Sequence, residues 1–104
     1  MTHTLDDRTE TLREVLERQF AEHTDQLMEL TVHSRQHDHG GHDPHTLRRL
    51  IEAAQQGVAD TARALRRMSE GSYGLCEGCG RDIPTARLEI LPSARYCVPC
   101  QQRS

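Results

Sequence analysis

The sequence predicts a mainly α-helical protein: an antiparallel coiled-coil helical hairpin over residues 1–70, followed by a small C-terminal four-Cys module over residues 71–104. Apolar residues recur in steps of three and four through two long segments, which is the helical period. A Gly-Gly pair separates these segments, and a C-x2-C motif occurs twice after them. Hydrophobic residues make up 35% of the chain and aromatic residues 3%, too little for one large globular core.

The first helix is predicted from about Leu5 to His37, with Thr4 and Asp7 resembling a capping box at its start. Its apolar or semi-apolar stripe is Leu12, Leu16, Phe20, His23, Leu27 and Leu30. A helix of about 30 residues is about 45 Å long, at 1.5 Å per residue. Such a helix cannot be buried within a small globule, so it requires a partner helix.

The second helix is predicted to begin at Asp43-Pro44, after a turn at Gly40-Gly41. Asp is a good N-cap, and Pro is favoured at the first helical position. The stripe continues through Leu47, Ile51, Ala54, Val58, Thr61 or Ala62, Leu65 and Met68, close to the coiled-coil period. Gly71 is a suitable residue to end this helix.

Charge favours antiparallel pairing of the two helices. Residues 1–32 contain eight acidic residues and three Arg, whereas residues 44–70 contain three acidic residues and five Arg. Opposite charges flanking a coiled coil influence partner choice, although each exposed pair contributes only about 0.2–1 kcal/mol. The alternative is two solvated helices with unrelated charge patterns.

Several classes of protein are excluded or disfavoured by composition. The formal net charge of -3 argues against a protein that coats nucleic acid, and direct sequence-specific DNA binding is not expected. No stretch approaches about 18 consecutive apolar residues, so no membrane span is expected. The N-terminal residues lack the basic start and apolar run of a signal peptide, and a cytoplasmic location is expected.

The last third of the chain carries four cysteines with the spacing C-x2-C, 17 residues, C-x2-C. Cys76, Cys79, Cys97 and Cys100 are therefore predicted to bind one structural Zn²⁺, forming a zinc finger. Gly78 and Gly80 are expected to allow the first knuckle to curl. The alternatives are two disulfides or a redox C-x-x-C pair. A closed four-thiolate site leaves no position for a substrate, and no cysteine remains as a nucleophile, so no enzyme is predicted.

These residues also carry a resemblance to a known family. Around the four cysteines the chain has Gly71, Tyr73, Gly74, Gly80, Ile83, Pro84, Arg87, Leu88, Pro92, Ala94 and Gln101 at characteristic positions. This pattern resembles the zinc finger of the DksA/TraR family. The resemblance implies a transcription accessory factor that binds bacterial RNA polymerase, with a coiled-coil hairpin entering the secondary channel. It also implies that a nucleotide alarmone can act with the protein and that the protein performs no chemistry.

The predicted tip departs from this family. DksA-type tips carry an Asp-x-x-Asp-x-Ala pattern, whereas the turn here runs from His37 to His45 without it. Asp38 and Asp43 are the acidic residues of this turn and are candidates for tip contacts. Two other functions stay open from the residues: a zinc-binding adaptor for another protein partner, and a metal-handling protein that uses the His-rich turn.

Five of the seven histidines lie between positions 33 and 45. His33 and His37 would be one turn apart on the first helix, a spacing that can chelate a metal, and His39 and His42 lie close by in sequence. The turn is therefore a candidate second site for Zn²⁺ or Ni²⁺. It could instead be a pH-sensitive tip or simply a polar, solvated turn.

Two further interpretations concern the junction with the zinc finger. Tyr73 is expected to pack where the second helix meets the finger. Arg81, Arg87 and Arg95 either donate hydrogen bonds to the metal-bound sulfurs or lie on the solvated surface.

Overall fold

The computed structural model describes residues 7–103, and within them the chain is helical. Its helices are α1 (Asp7–Ser34), a single-turn 3₁₀ helix (His39–Gly41), α2 (Pro44–Glu70), α3 (Thr85–Ile90) and α4 (Val98–Arg103). Across residues 7–103 there is no strand, only one isolated antiparallel bridge between Leu75 and Asp82. The predicted helical hairpin with a C-terminal four-Cys module is confirmed. Thr4, part of the predicted capping box, lies outside the described residues.

Helices α1 and α2 pack side by side as an antiparallel pair, and the molecule extends 58 Å along its longest axis. At 1.5 Å per residue, the 28 residues of α1 account for about 42 Å of this length. Within the described part of the chain, none of the helices is both long and apolar enough for a membrane crossing.

Helix α1 ends at Ser34, three residues before the predicted end. The amides of Arg35 and Gln36 donate to the carbonyls of Val32 and His33, at 3.0 and 3.1 Å. These bonds connect residues three apart, so they tighten the last turn and satisfy carbonyls that the ended helix would leave free. His37 consequently lies in the turn and not on α1, which removes the helical spacing expected between His33 and His37.

The turn between α1 and α2 is held by two aspartates. The Asp38 carboxylate accepts from the Gly40 amide at 3.0 Å, and the Asp43 carboxylate accepts from the Thr46 amide at 2.9 Å. Asp43 is thus the N-cap of α2, and Pro44 follows it, as predicted. Between the two aspartates, Gly40 has a φ of 63°, which a residue with a Cβ adopts only at a cost.

Buried residues form two separate clusters along the hairpin. The base cluster contains Leu12, Leu16, Ala64, Met68, Cys76, Ile83 and Leu88. The tip cluster contains Leu30, Leu47 and Ala54, with Leu27, Leu50 and Ile51 packed against it. The base cluster draws on both long helices and on the four-Cys module, so the three parts share one core.

Between the clusters, the predicted stripe is occupied by Thr61 and not by Ala62. Thr61 is 2% exposed, and its hydroxyl donates to the Gly57 carbonyl at 2.7 Å, which makes its burial tolerable. Gly57 itself faces the ring of His23, since a Cβ there would lie 2.6 Å from that ring. The two helices can therefore approach closely at mid-length because α2 carries a glycine opposite an imidazole.

Helix α2 ends at Glu70 with Gly71 in the left-handed conformation, at φ 82°. The amides of Gly71, Ser72 and Tyr73 donate to carbonyls of the last turn, those of Met68 and Arg67. This arrangement satisfies the free end of α2 and turns the chain directly into the four-Cys module. The position of the module relative to the hairpin is thus set within a few residues of the helix end.

Candidate functional site

The four cysteines predicted as metal ligands come together at one point. Their sulfurs all lie within 4.8 Å of one another, and none of the four is in a disulfide. Cys76 is buried, Cys97 and Cys100 are half-buried, and Cys79 is exposed. The bridge between Leu75 and Asp82 closes the loop that carries the first pair, and α4 carries Cys100 of the second pair. The first C-x-x-C therefore lies on a tight knuckle and the second at the start of a helix.

The spacing of the sulfurs fits a tetrahedral zinc site. Four sulfurs at about 2.3 Å from a central Zn²⁺ stand about 3.8 Å apart. The Sγ atoms of Cys79 and Cys97 are 3.8 Å apart. This separation is far longer than the about 2.05 Å of a disulfide bond. The four cysteines therefore form a site for one structural Zn²⁺, and the alternatives of two disulfides or a redox pair are not adopted.

The ionisation of the thiols also favours a bound cation. Burial raises the pKa of the Cys76 thiol, but hydrogen bonds from the amides of Cys97, Cys79 and Gly78 more than offset this, so its pKa falls to about 6. The thiols of Cys97 and Cys76 beside it, together with burial, raise the pKa of Cys100 to about 12. Crowded thiols thus resist joint ionisation, and a divalent cation among them removes that obstacle.

Glycine 78 is needed for space and not for an unusual backbone angle. A Cβ on Gly78 would lie 3.1 Å from the Cys100 sulfur, whereas Gly80 has a positive φ of 77° with nothing near its absent side chain. The sequence had predicted that both glycines let the knuckle curl. The structure shows that Gly80 supplies the curl and Gly78 the room for a sulfur.

The hydrogen bonds to sulfur come from the backbone and not from arginine. The amides of Gly78 and Cys97 each donate to the Cys76 sulfur at 3.3 Å. Arg87 instead donates to the Tyr96 carbonyl at 3.1 Å, and Arg95 donates to the Glu77 carboxylate at 3.1 Å. The structure therefore does not support the expectation that Arg87 and Arg95 donate hydrogen bonds to the metal-bound sulfurs.

Glu77, which sequence reasoning did not single out, connects the first knuckle to the hairpin. Its carboxylate lies 3.1 Å from Arg95 and 3.7 Å from Arg67 near the end of α2. The Arg67 guanidinium also donates to the carbonyls of Ser72 and Leu75, both at 3.0 Å. Arg67 therefore ties the end of α2, the connecting turn and the knuckle together. Arg67 could have been singled out from the sequence, because it lies in the last turn of a helix that leads directly into a C-x-x-C motif.

Tyr73 packs at the junction, as predicted. Its ring lies against the base cluster, and its hydroxyl donates to the Pro92 carbonyl at 2.8 Å. Burial raises the pKa of Tyr73 to about 12, because the ionised phenolate would lose hydration there. Within the module, Leu88 is buried, while Ile90 and Leu91 are exposed.

The aspartates and histidines predicted to act at the tip lie in different environments. Asp38 and Asp43 lie on either side of the 3₁₀ turn, and both carboxylates already accept amide hydrogen bonds. The histidines do not gather into one group: across residues 7–103, only the four cysteines bring three or more metal-binding atoms together. His33 and His42 are paired, with ring centroids 5.6 Å apart, while His37 and His45 are exposed.

Comparison with known proteins agrees with the geometry of the four-Cys module. Residues 71–104 match the profile of the prokaryotic dksA/traR C4-type zinc finger. The RNA polymerase-binding transcription factor DksA of Caulobacter vibrioides is 36% identical over 99 residues, covering 95% of this chain and 56% of that protein. General stress protein 16O of Bacillus subtilis is 37% identical over 82 residues, covering 75% of this chain and 50% of that protein.

The similarity extends to the three-dimensional structure. The transcription factor DksA2 from Pseudomonas aeruginosa superposes with a TM-score of 0.75 at 26% identity, covering 95% of this chain and 84% of that one. The chain belongs to the DksA/TraR zinc-finger family. The similarity to DksA and DksA2 covers the hairpin as well as the finger, since each match extends over 95% of this chain. The chain spans about half the length of the two curated relatives named above.

Proposed function

We propose that this protein is a transcription factor that binds bacterial RNA polymerase and performs no chemistry on a substrate. The observation that carries the proposal is the match to DksA, which extends over 95% of the chain and includes the hairpin. A zinc finger shared alone would support only a common metal site. A shared hairpin and finger, with a TM-score of 0.75 to DksA2, supports a common way of presenting the hairpin to a partner.

The shape of the molecule suits insertion into a narrow opening such as the secondary channel of the polymerase. The molecule is 58 Å long and 20–30 Å across, and the turn between α1 and α2 lies at the end away from the finger. The base cluster joins the finger to both helices, so the finger holds the hairpin at a fixed angle. In this proposal the hairpin enters the channel and the finger rests on its rim.

We further propose that the chain divides functionally at Gly71, into a hairpin of residues 1–70 and a zinc finger of residues 71–104. Cys76, Cys79, Cys97 and Cys100 are the proposed zinc ligands. The division is supported by the capped end of α2 at Gly71. The two parts are not separate folding units, because Cys76, Ile83 and Leu88 share a core with α1 and α2.

Asp38 and Asp43 are the proposed contacts of the tip with the polymerase. Both are exposed and carry negative charge at the end of the hairpin. Each carboxylate already accepts one amide hydrogen bond through one oxygen, and a carboxylate has further lone pairs with which it can bind a partner. Neither residue reproduces the Asp-x-x-Asp-x-Ala pattern of DksA-type tips, so the contacts made here would differ in register.

Binding to purified polymerase tests the proposal directly. The zinc-loaded full chain, labelled away from the tip, is titrated with bacterial RNA polymerase core enzyme and followed by fluorescence anisotropy. We expect saturable binding that an unlabelled secondary-channel protein displaces. Promoter DNA alone should produce no change. If a secondary-channel protein failed to displace the bound chain, the proposed binding site in the channel would be wrong. If the chain did not bind the polymerase at all, the proposed function would be wrong.

Paired substitutions separate the charge of the tip from its structural role. Asn is as good an N-cap as Asp but carries no charge, whereas Ala can neither cap a helix nor carry a charge. Asp43→Asn and Asp38→Asn are therefore expected to keep the turn intact while weakening polymerase binding. Asp43→Ala should weaken binding and also destabilise the start of α2 by about 1 kcal/mol. Equal binding by the wild type and both Asn variants would remove these two residues from the interface.

A further inference from the structure

The turn at the end of the hairpin holds two imidazoles that are distant in sequence. His33 lies in the last turn of α1, and His42 lies between the 3₁₀ helix and α2. Their ring centroids are 5.6 Å apart, with the ring planes inclined by 35°. The pair forms because α1 ends at Ser34 and the 3₁₀ turn brings His42 back beside the end of the helix.

The backbone of the turn holds the His33 ring in place. A Cβ on Gly40 would lie 2.6 Å from Cγ and 2.8 Å from Nδ1 of His33, so the ring occupies the space that any other residue would fill. Gly40 is itself held by the Asp38 carboxylate, which accepts from its amide at 3.0 Å. The ring is therefore placed before any ligand arrives, which lowers the entropic cost of binding one.

One nitrogen of this ring lacks a partner. Nδ1 of His33 is buried and makes no hydrogen bond. A buried polar atom without a partner is unfavourable, and native structures contain few of them. The lone pair of such a nitrogen can be satisfied by a hydrogen-bond donor or by a metal ion.

The separation of the two rings suits one shared ion. With a metal–nitrogen bond of about 2.05 Å, the ion stands about 3.2 Å from the centroid of each imidazole ring. Two such rings on one ion have centroids about 4.5 Å apart at a right angle, about 5.2 Å at the tetrahedral angle and about 6.4 Å when opposite. The observed 5.6 Å lies within this range and close to the tetrahedral value.

We propose that His33 and His42 form a second metal site, which binds one divalent first-row transition-metal ion such as Ni²⁺ or Zn²⁺. Imidazole nitrogen suits these ions, whereas Mg²⁺ and Ca²⁺ prefer oxygen. No third histidine, cysteine or carboxylate within residues 7–103 joins the pair, so water completes the coordination. The site is consequently weaker than the four-Cys centre, and it joins the end of α1 to the start of α2. This proposal does not depend on the proposed function.

Nickel titration of the zinc-loaded full chain tests the site, because Ni²⁺ can be distinguished from the zinc already held by the thiolates. Isothermal titration calorimetry at neutral pH should show one Ni²⁺ bound per chain while the zinc content stays constant. His33→Gln and His42→Gln should each weaken Ni²⁺ binding by about tenfold or more, the loss that even supporting contacts to a metal produce. The paramagnetic ion should broaden the ring proton signals of both histidines.

The exposed histidines of the same segment are the matched controls. His37→Gln and His45→Gln each remove an imidazole from the same segment without touching the pair, and we expect unchanged Ni²⁺ binding. His33 and His42 are half-buried, whereas His37 and His45 are exposed. Circular dichroism therefore verifies that all four variants keep the helical hairpin before their Ni²⁺ binding is compared. Absent binding, or binding that depends on His37 or His45 and not on His33 and His42, would overturn the proposal.

Discussion

The two ends of the hairpin are built in different ways. At the base, seven buried residues from both helices and the four-Cys module form one cluster, and Glu77, Arg67 and Arg95 connect the knuckle to the end of α2. At the tip, three buried residues form a smaller cluster, and the turn depends on two aspartate caps and on Gly40. The base is therefore held by burial and a metal, and the tip by local hydrogen bonds and backbone geometry.

This difference indicates how one fold can keep its orientation while its tip varies. Residues at the base pack against three parts of the chain at once, so a substitution there disturbs all three. His37 in the turn and His45 at the start of α2 are exposed and can change without loss of the hairpin. A departure of the tip from the Asp-x-x-Asp-x-Ala pattern is therefore compatible with an intact family fold.

Removal of zinc should have the largest effect, and it should be confined to the base. Chelation of zinc, or Cys97→Ser, should unfold the finger, because about 10–16 kcal/mol of apparent zinc binding energy contributes to folding. Since Cys76 packs with Leu12 and Leu16, amide protection should also fall in the first part of α1. Hydrogen exchange measured by mass spectrometry locates the loss.

The tip half of the hairpin is the internal reference for this experiment. Amides near Leu47 and Ala54 belong to the other cluster and should keep more of their protection. Uniform loss of protection along both helices would show that the two ends are not independent. Unchanged protection of the finger after removal of zinc would contradict its structural role.

Truncation of one leucine in each cluster should reveal the next largest difference. Leu16 is fully buried at 0% exposure, so Leu16→Ala should destabilise the protein by about 2–5 kcal/mol through lost burial and a residual cavity. Leu30→Ala in the tip cluster should cost about 2 kcal/mol, because the few surrounding side chains can move into the space. Urea unfolding of the two zinc-loaded variants measures both values. A larger loss for Leu30→Ala would reverse the comparison.

Gly40→Ala should strain the tip without affecting the base. Its φ of 63° costs a residue with a Cβ about 1–2 kcal/mol, and the new methyl group would also displace the His33 ring. Gly41→Ala is the matched control, since its φ is 86° but no atom lies within 4 Å of the added Cβ. The difference between the free energies of unfolding of the two variants, measured in urea, gives the cost of the contact between the new methyl group and the His33 ring. Identical losses would mean that His33 moves aside freely.

High pH should produce the smallest effect, acting at the base through Tyr73. Burial raises the pKa of Tyr73 from 10.0 to about 12, so the unfolded chain loses this proton first. Stability from this group is complete below pH 10.0 and is lost as the pH rises toward about 12. Urea unfolding of the wild type should weaken across this interval more than that of Tyr73→Phe, whose side chain cannot ionise. Equal pH dependence would show that the Tyr73 phenol is not protected in the folded state.

Much of this architecture could be predicted from local patterns. The stripe from Leu12 to Leu30, the restart at Asp43-Pro44 and the stop at Gly71 each act within a few residues, so they can be recognised in one dimension. The two C-x-x-C motifs are equally local, and thiolate spacing restricts them to few chemistries. The end of α1 was placed three residues late because Arg35, Gln36 and His37 have no strong helix-stopping signal of their own.

Contacts between distant segments could not be predicted from these local patterns. Two helices, a turn, four metal-binding sulfurs and a family resemblance could all be predicted, because they follow from neighbouring residues and fixed spacings. Packing decided that Cys76 lies in the same core as Leu12 and Leu16, that Glu77 contacts Arg67, and that His33 pairs with His42 and not with His37. Such contacts depend on how the chain folds back on itself, and no periodicity along the sequence records that path.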